Sequence, residues 1–248
     1  MQHFSALQWS LAVLAALGIG VAKSGFAGVS MIHVIVFANL FGARDSTGVV
    51  LPMLIVGDIC AVAAFRRHAR WDYIRRMLPP AGLGVIAGWQ IMKHLNDAAF
   101  KPIIGAIILA LTVLHFVRVA RPALFEKVPH AWWFAWTMGF IAGIVTMLAN
   151  AAGPVMALYF LAVALPKFEF VGTSAWYFLV VNCSKIPFSY DLGLIHGSSL
   201  LFNAMLIPAI IAGLFLGRWL VTRIPQRLFD GLLVAFAALA ALKMLLQL

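Results

Sequence analysis

Charged residues are scarce in this chain, and acidic ones are the scarcest. Aspartate and glutamate together number 8 in 248 residues, and all charged residues make up 10%. With 64% hydrophobic residues and a mean hydropathy of +1.00, too little polar surface remains to cover a water-soluble ball of this size. The composition excludes an ordinary soluble protein and indicates that lipid surrounds most of the chain.

Cysteines and familiar catalytic motifs are few or missing. The two cysteines, Cys60 and Cys183, lie inside apolar runs, so a disulfide framework is excluded and we expect free thiols. The sequence contains no HExxH, P-loop, GxSxG or CxxC pattern. We therefore predict no enzymatic activity, no metal site and no cofactor.

What the chain has instead is a series of long apolar runs without alternation, such as 103–114 and 232–242. A backbone in hydrocarbon must satisfy its own hydrogen bonds, and unalternating runs favour helices over barrel strands. The net charge of +10 comes from Lys and Arg in short loops, densest from Arg66 to Arg76, and we predict a cytoplasmic loop there. We expect no nucleic-acid partner, and whether the protein is a homo-oligomer stays open.

Two stretches of the chain repeat each other. Gly18, Gly28 and Met31 return as Gly143, Gly153 and Met156 at an offset of 125, and Pro79, Gly84 and Gly88 return as Pro208, Gly213 and Gly217 at an offset of 129. We therefore divide the chain into a first membrane repeat, 1–125, and a second, 126–248. Duplicated apolar halves are typical of transporters, whose sites lie between the halves near mid-membrane.

Each half contains about five apolar segments, here called A to E. In the first half they are 4–22, 26–41, 46–65, 73–92 and 100–117, and in the second 131–148, 153–165, 171–194, 200–221 and 228–246. Segment B is too short to cross the membrane in the second half, and in both halves it follows a break rich in glycine or asparagine. We predict an all-α, polytopic membrane helix bundle with a broken or re-entrant first hairpin in each half.

Loop charges predict how the halves are oriented. The loop between segments C and D carries five arginines in the first half, whereas its equivalent, 191–199, carries no Lys or Arg. Equivalent loops on opposite sides of the membrane follow from two inverted repeats. A parallel duplication with four crossings per half ranks second.

Polar residues within the apolar segments are the candidate site. Lys23, Ser24, Gly25 and Gly28 lie in the first break, and Asn150 and Gly153 lie in its repeat. Backbone N–H groups and helix starts at such breaks can bind an anion, with Lys23 supplying charge. Lys23 could also be a lysine that reaches the headgroups, and the breaks could be structural kinks.

A second set lies on segments B and C. Asp58 and Asn182 are repeat equivalents at an offset of 124, and Lys185 is one turn beyond Asn182. We expect Asn182 and Lys185 to contact substrate and Asp58 to balance charge, either as an ion-pair partner or as a proton carrier. His33 could take part in coupling, although a single histidine on an apolar face is more often simply hydrogen-bonded.

The glycine-rich break at 18–28, its repeat at 143–154 and the later GxxxG segments at Gly84 and Gly213 resemble the sulfite exporter TauE/SafE family, also described as the toluene-sulfonate uptake permease family. The likeness covers nearly the whole chain. It implies a multi-pass inner-membrane secondary transporter for small anions such as sulfite, organosulfonates or related organic acids, driven by the protonmotive force. An anion channel and a membrane-embedded enzyme or assembly factor are the alternatives.

Overall fold

The computed structural model describes residues 4–26, 29–95, 131–195 and 197–225, together with single positions at 106, 113, 117 and 228. Every regular element in these ranges is helical. The helices are α1 (Ala6–Lys23), α2 (Ser30–Phe41), α3 (Asp45–Phe65), α4 (Trp71–His94), α5 (Trp132–Ala149), α6 (Gly153–Ala162), α7 (Lys167–Asp191) and α8 (Gly197–Arg223). A short 3-10 turn, Arg66–His68, follows α3.

These helices confirm the all-α membrane fold that the composition predicts. Four stretches of the described chain are long and apolar enough to cross a membrane: Ala6–Lys23, Asp45–His68, Trp132–Ala149 and Ser199–Arg223. They correspond to segments A, C, A and D. Both predicted E segments lie outside the described residues, as does Gly28, so the count of ten segments stays a prediction.

Two of the helices are too short to span the bilayer. At 1.5 Å per residue, α2 and α6 extend about 18 and 15 Å, against a hydrocarbon core of about 30 Å. Each follows a break. Gly25 has a φ of 109°, which favours glycine, and Asn150 occupies the left-handed region at φ 53°, where asparagine is among the best tolerated side chains. The breaks therefore have residues suited to their backbone conformations.

The contacts of three helices show that they run in one direction. Gly213 and Gly217 of α8 lie against Leu17 and Ser24 of α1, so residue numbers rise together along the pair. Helix α3 is also parallel to α8, because Gly57 lies near Ile210 and the Phe65 ring lies near the Arg218 guanidinium. Helices α1, α3 and α8 are therefore parallel.

The other three long helices run the opposite way. Along α4 and α5, Met77 lies against Gly139 and Gly88 against Met147, which makes this pair parallel. Helices α4 and α7 are parallel as well, with Trp71 against the Trp176 ring and Trp89 against Phe188. Helix α7 is antiparallel to α3, since Gly172 approaches Phe65 and Asn182 hydrogen-bonds Asp58.

The repeated glycines are contact points between these helices. A Cβ placed on Gly84 would lie 2.2 Å from the Phe140 carbonyl oxygen, and one on Gly213 would lie 2.0 Å from that of Leu17. We expect Gly84→Ala or Gly213→Ala to lower the free energy of unfolding by about 1–3 kcal/mol through overpacking. Gly82→Ala, where the added atom meets nothing within 4 Å, is the control. Thermal unfolding in detergent measures both, and equal stability of Gly84→Ala and Gly82→Ala would contradict the expectation.

Charge is distributed unequally between the two ends of the bundle. The end of α3 and α8 and the start of α4 and α7 form an arginine-rich face, whose cations are Arg66, Arg67, Arg70, Arg75, Arg76, Lys167, Arg218 and Arg223. On this face a hydrogen bond to Glu169, with a second to Asp72, raises the pKa of Arg70. The exposed side chains of Trp132, Trp133 and Trp136 at the start of α5 lie at the same end. The opposite end carries Arg44, Asp45, Lys93 and Asp191, whose two positive and two negative charges cancel.

Candidate functional site

The two chain breaks meet at one cavity inside the bundle. Its polar lining comes from both halves: Lys23, Gly25, Ser30, His33, Thr146, Asn150, Gly153, Ser174 and Asn182. Apolar side chains, among them Ile19, Met156 and Phe178, complete the wall. Residues predicted as a site from separate segments therefore share one enclosure.

Lys23 is held in the cavity wall by a buried ion pair. Its Nζ lies 2.6 Å from Asp58 Oδ1, and the Asp58 side chain is fully buried while that of Lys23 is 11% exposed. The ammonium also lies 4.7 Å from the centre of the Phe178 ring. Asp58 is therefore the ion-pair partner of Lys23, which also lines the cavity. Gly57 makes room for this arrangement, since a Cβ there would lie 3.2 Å from Lys23 Cγ.

Asn182 links this ion pair to the second half. Its Nδ2 donates to Asp58 Oδ2 at 2.7 Å, so both carboxylate oxygens have partners. Its Oδ1 accepts from Lys185 Nζ at 3.4 Å. The repeat equivalents Asp58 and Asn182 are therefore in direct contact at the interface of α3 and α7.

Lys185 lies behind the cavity wall. Its Nζ donates to the Thr146 carbonyl at 2.8 Å and also contacts Thr146 Oγ1 and Asn150 Oδ1. These acceptors belong to the C-terminal end of α5, where a cation is favoured by unpaired carbonyls and the helix dipole. The side chain is 1% exposed and is absent from the cavity lining. Lys185 therefore holds the second break through Thr146 and Asn150, and its expected contact with substrate stays a prediction.

This arrangement predicts a structural effect for a change at Lys185. Replacing it with methionine leaves the Thr146 carbonyl and the Asn150 amide oxygen without their buried donor. We expect a loss of about 2 kcal/mol or more in the free energy of unfolding, with anion affinity of the folded fraction nearly unchanged. Thermal unfolding and anion binding in detergent measure the two effects. A stable Lys185→Met protein with lost affinity would instead make Lys185 a direct ligand.

Asn150 has both side-chain groups committed to the protein. Besides accepting from Lys185, it donates from Nδ2 to the Thr47 carbonyl at 2.9 Å. Its backbone N–H donates to the Thr146 carbonyl at 3.0 Å, and the backbone N–H of Gly25 donates to the Ala22 carbonyl at 3.1 Å. Of the three backbone positions expected to bind an anion, both of these N–H groups are therefore used within the protein. The starts of the two short helices lie beside Asn150, and neither α2 nor α6 has a side-chain cap on its first turn. Such helix starts carry partial positive charge toward the cavity.

Ser24 departs from its expected place. It is fully buried outside the cavity lining, and its hydroxyl donates to the Leu214 carbonyl at 3.0 Å. Close packing against Gly217 turns it toward α8. The Ser24 hydroxyl therefore joins α1 to α8, and its expected contact with substrate stays a prediction.

Two residues that contact the buried lysines, Thr146 and Phe178, were not predicted from the sequence. Thr146 lies four residues before Asn150 on one helical face, so spacing could have indicated it. Phe178 gave no signal, because nothing in the sequence places its ring under Lys23. In the described chain no three His, Cys, Asp or Glu side chains gather in a way that could hold a metal.

Comparison with known proteins identifies the family. The sequence profile of the family described as sulfite exporter TauE/SafE matches residues 12–244, nearly the whole chain. The protein belongs to the TauE/SafE family. No curated protein and no solved structure matches the chain. TauE/SafE is a transporter family, and the described helices are apolar. The protein is therefore a multi-pass membrane protein that takes part in transport.

Proposed function

We propose that this protein is a secondary transporter that moves small anions, such as sulfite, organosulfonates or related organic acids, across the bacterial inner membrane and couples to the protonmotive force. The observation that carries the proposal is the cavity where both breaks meet. Lys23 and the starts of the two short helices, at Ser30 and Gly153, line it together. Each of these features favours an anion.

Charge at the cavity wall supports an anion as the ligand. Lys23 is the cation of the described lining, and its partner Asp58 also accepts a hydrogen bond from Asn182. An anion can share the Lys23 ammonium with Asp58, whereas a cation would meet like charge in a site removed from water.

Helix directions support two inverted halves. Segment A is α1 in one half and α5 in the other, segment C is α3 and α7, and segment D is α4 and α8. In each pair the two helices belong to opposite directional groups. The packing pairs correspond as well: segment A of the first half, α1, packs on segment D of the second, α8, and segment A of the second half, α5, packs on segment D of the first, α4. Such halves can alternate around a fixed central site.

The arginine-rich face is proposed to lie in the cytoplasm, because short positively charged loops stay on that side. We expect a cysteine placed at Arg67 to be labelled by a membrane-impermeant maleimide only in inverted vesicles, in a background where both native cysteines are serine. A cysteine at Asn39, near the opposite end of the bundle, is the control and is expected to label from outside. The reverse pattern would contradict this orientation.

Transport by the purified protein in liposomes tests the proposed function. We expect uptake of labelled sulfite or a short sulfonate that saturates with concentration and accelerates under an imposed pH gradient. Absence of transport for sulfite, sulfonates and short organic acids would refute it. An anion channel, the first alternative, would give currents far above carrier turnover. Against an enzyme or assembly factor, Asp58, which holds Lys23 at the described cavity wall, has both carboxylate oxygens occupied.

A further inference from the structure

His33 is a polar side chain with no partner of its own. Its side chain lies on the first turn of α2, lines the cavity and is 2% exposed. Neither Nδ1 nor Nε2 has a hydrogen-bond partner anywhere in the described chain. Lys23, Asp58, Asn150, Asn182 and Lys185, in contrast, are each bonded within the protein.

An imidazole left unbonded in a protein interior is costly. Burying a donor or acceptor without a partner costs about 1–3 kcal/mol, and native proteins leave few such groups. An apolar side chain of similar size would avoid that cost at this position. A group that is destabilising in the empty protein and faces a cavity is well suited to a ligand that supplies the missing bonds.

Lys23 alone would not distinguish one small anion from another. An ammonium acts as a point charge, and it contacts any anion that fits beside it. A neutral imidazole instead offers one N–H donor and one acceptor with fixed directions. Lys23 is the cation that shares the cavity wall with His33, and the nearby carboxylate, Asp58, is already held by Lys23 and Asn182.

We propose that His33 hydrogen-bonds a second oxygen of the anion whose charge Lys23 holds, which makes the site selective for small oxyanions. The substrate class is then a sulfite, sulfonate or carboxylate group with at least two oxygens. Anions of equal charge that accept hydrogen bonds poorly, such as thiocyanate, bind through Lys23 only. This inference rests on the proposed function for its substrate class, but it concerns binding and can be tested without transport.

The test compares His33→Leu, His33→Gln and the unaltered protein, each purified in detergent. Dissociation constants for sulfite, methanesulfonate and thiocyanate are read from the rise in melting temperature with anion concentration. We expect His33→Leu to weaken oxyanion binding at least tenfold and to change thiocyanate binding less than twofold. His33→Gln, whose amide retains a donor and an acceptor, should recover most of the oxyanion affinity.

The melting temperature without anion gives a second readout. If His33 serves the ligand, His33→Leu should melt at the same or a higher temperature than the unaltered protein, because it removes unbonded polar atoms from the interior. A marked fall in that temperature would assign His33 to the structure and overturn the proposal.

The outcomes separate this inference from the proposed function. Oxyanion binding that depends on His33, without transport in liposomes, would refute the transporter and support the binding role of His33. Transport in liposomes with oxyanion affinity unchanged in His33→Leu would support the transporter and refute the binding role of His33. An unaltered protein that binds thiocyanate as tightly as sulfite would overturn the selectivity of the site.

Discussion

Replacing Lys23 by glutamine is expected to weaken anion binding by about 30-fold or more and to destabilise the protein. The loss of affinity follows because Lys23 is the ammonium in the cavity wall, and a charge-assisted hydrogen bond contributes about 2 kcal/mol. The loss of stability follows because Asp58, fully buried, would lose its cationic partner. Removing one member of a buried ion pair costs about 3–5 kcal/mol.

A double substitution separates these two effects. Lys23→Gln with Asp58→Asn removes both charges and leaves amides that can still hydrogen-bond each other and Asn182. We expect this protein to regain most of its thermal stability and to remain unable to bind anion. Sulfite-dependent melting and uptake in liposomes are the measurements. Recovered binding in the double variant would show that Lys23 contributes to folding only.

The chain offers a matched control in a second Lys–Asp pair. Lys93 Nζ lies 2.9 Å from Asp191 Oδ2, but these side chains are 37% and 48% exposed. An exposed pair contributes little to stability, because water solvates both groups and salt screens them. Lys93→Gln should therefore leave both stability and anion affinity nearly unchanged. An equal effect at Lys93 and Lys23 would mean that overall charge, and not the cavity, governs binding.

The fold was largely predictable because its signals are local. Apolar runs indicate helices wherever lipid surrounds the chain, and the break at Gly153 and Pro154 fixes the start of α6 within the sequence itself. The direction of each helix was less accessible. It depends on which apolar faces meet, and the charges of a few loops were the sequence's only information about it.

The candidate site was predictable in its members and unpredictable in its pairings. Lys23, Asn182 and Lys185 attract attention because polar groups are expensive in an apolar helix. Which acceptor each lysine meets depends on helix rotation and on contacts between distant residues, such as Asn182 and Asp58, which are 124 positions apart. For this reason the sequence indicated Lys185 as a substrate contact but not its partners, which are Thr146, Asn150 and Asn182.

Ser24 shows the same limit at one residue. It neighbours Lys23 in the sequence, so a shared role was a natural prediction. Neighbouring residues on a helix, however, point about 100° apart, and the small side chain of Ser24 fits against Gly217 of α8. Adjacency in the chain placed it near the site without giving it access to the cavity.

Replacing Asp58 by asparagine is expected to remove the coupling of transport to the pH gradient while keeping the movement of anion. In the structure the carboxylate holds Lys23, so an entering anion must compete with Asp58 for the ammonium. A carboxylate displaced from Lys23 inside the bundle keeps only Asn182 as a hydrogen-bond partner, with Lys185 beyond it. Uptake of a proton removes its unpaired charge, which makes binding of proton and anion mutually favourable.

Asparagine at position 58 cannot take up and release a proton. The side chain can still accept from Asn182, so the contact between α3 and α7 is retained, and Lys23 is released from its carboxylate. We expect anion affinity to rise by about tenfold, and the anion should offset the unpaired ammonium when present. Exchange of labelled for unlabelled sulfite across the liposome membrane should continue, but an imposed pH gradient should no longer drive accumulation.

Asp191→Asn provides the control for this prediction, because it removes the carboxylate of the exposed ion pair and leaves the cavity intact. It should keep both exchange and accumulation driven by the pH gradient. The measurement is the ratio of accumulated to exchanged sulfite for each variant at equal protein content. Accumulation by Asp58→Asn at the level of Asp191→Asn would place the coupling proton elsewhere and leave Asp58 with the single task of neutralising Lys23.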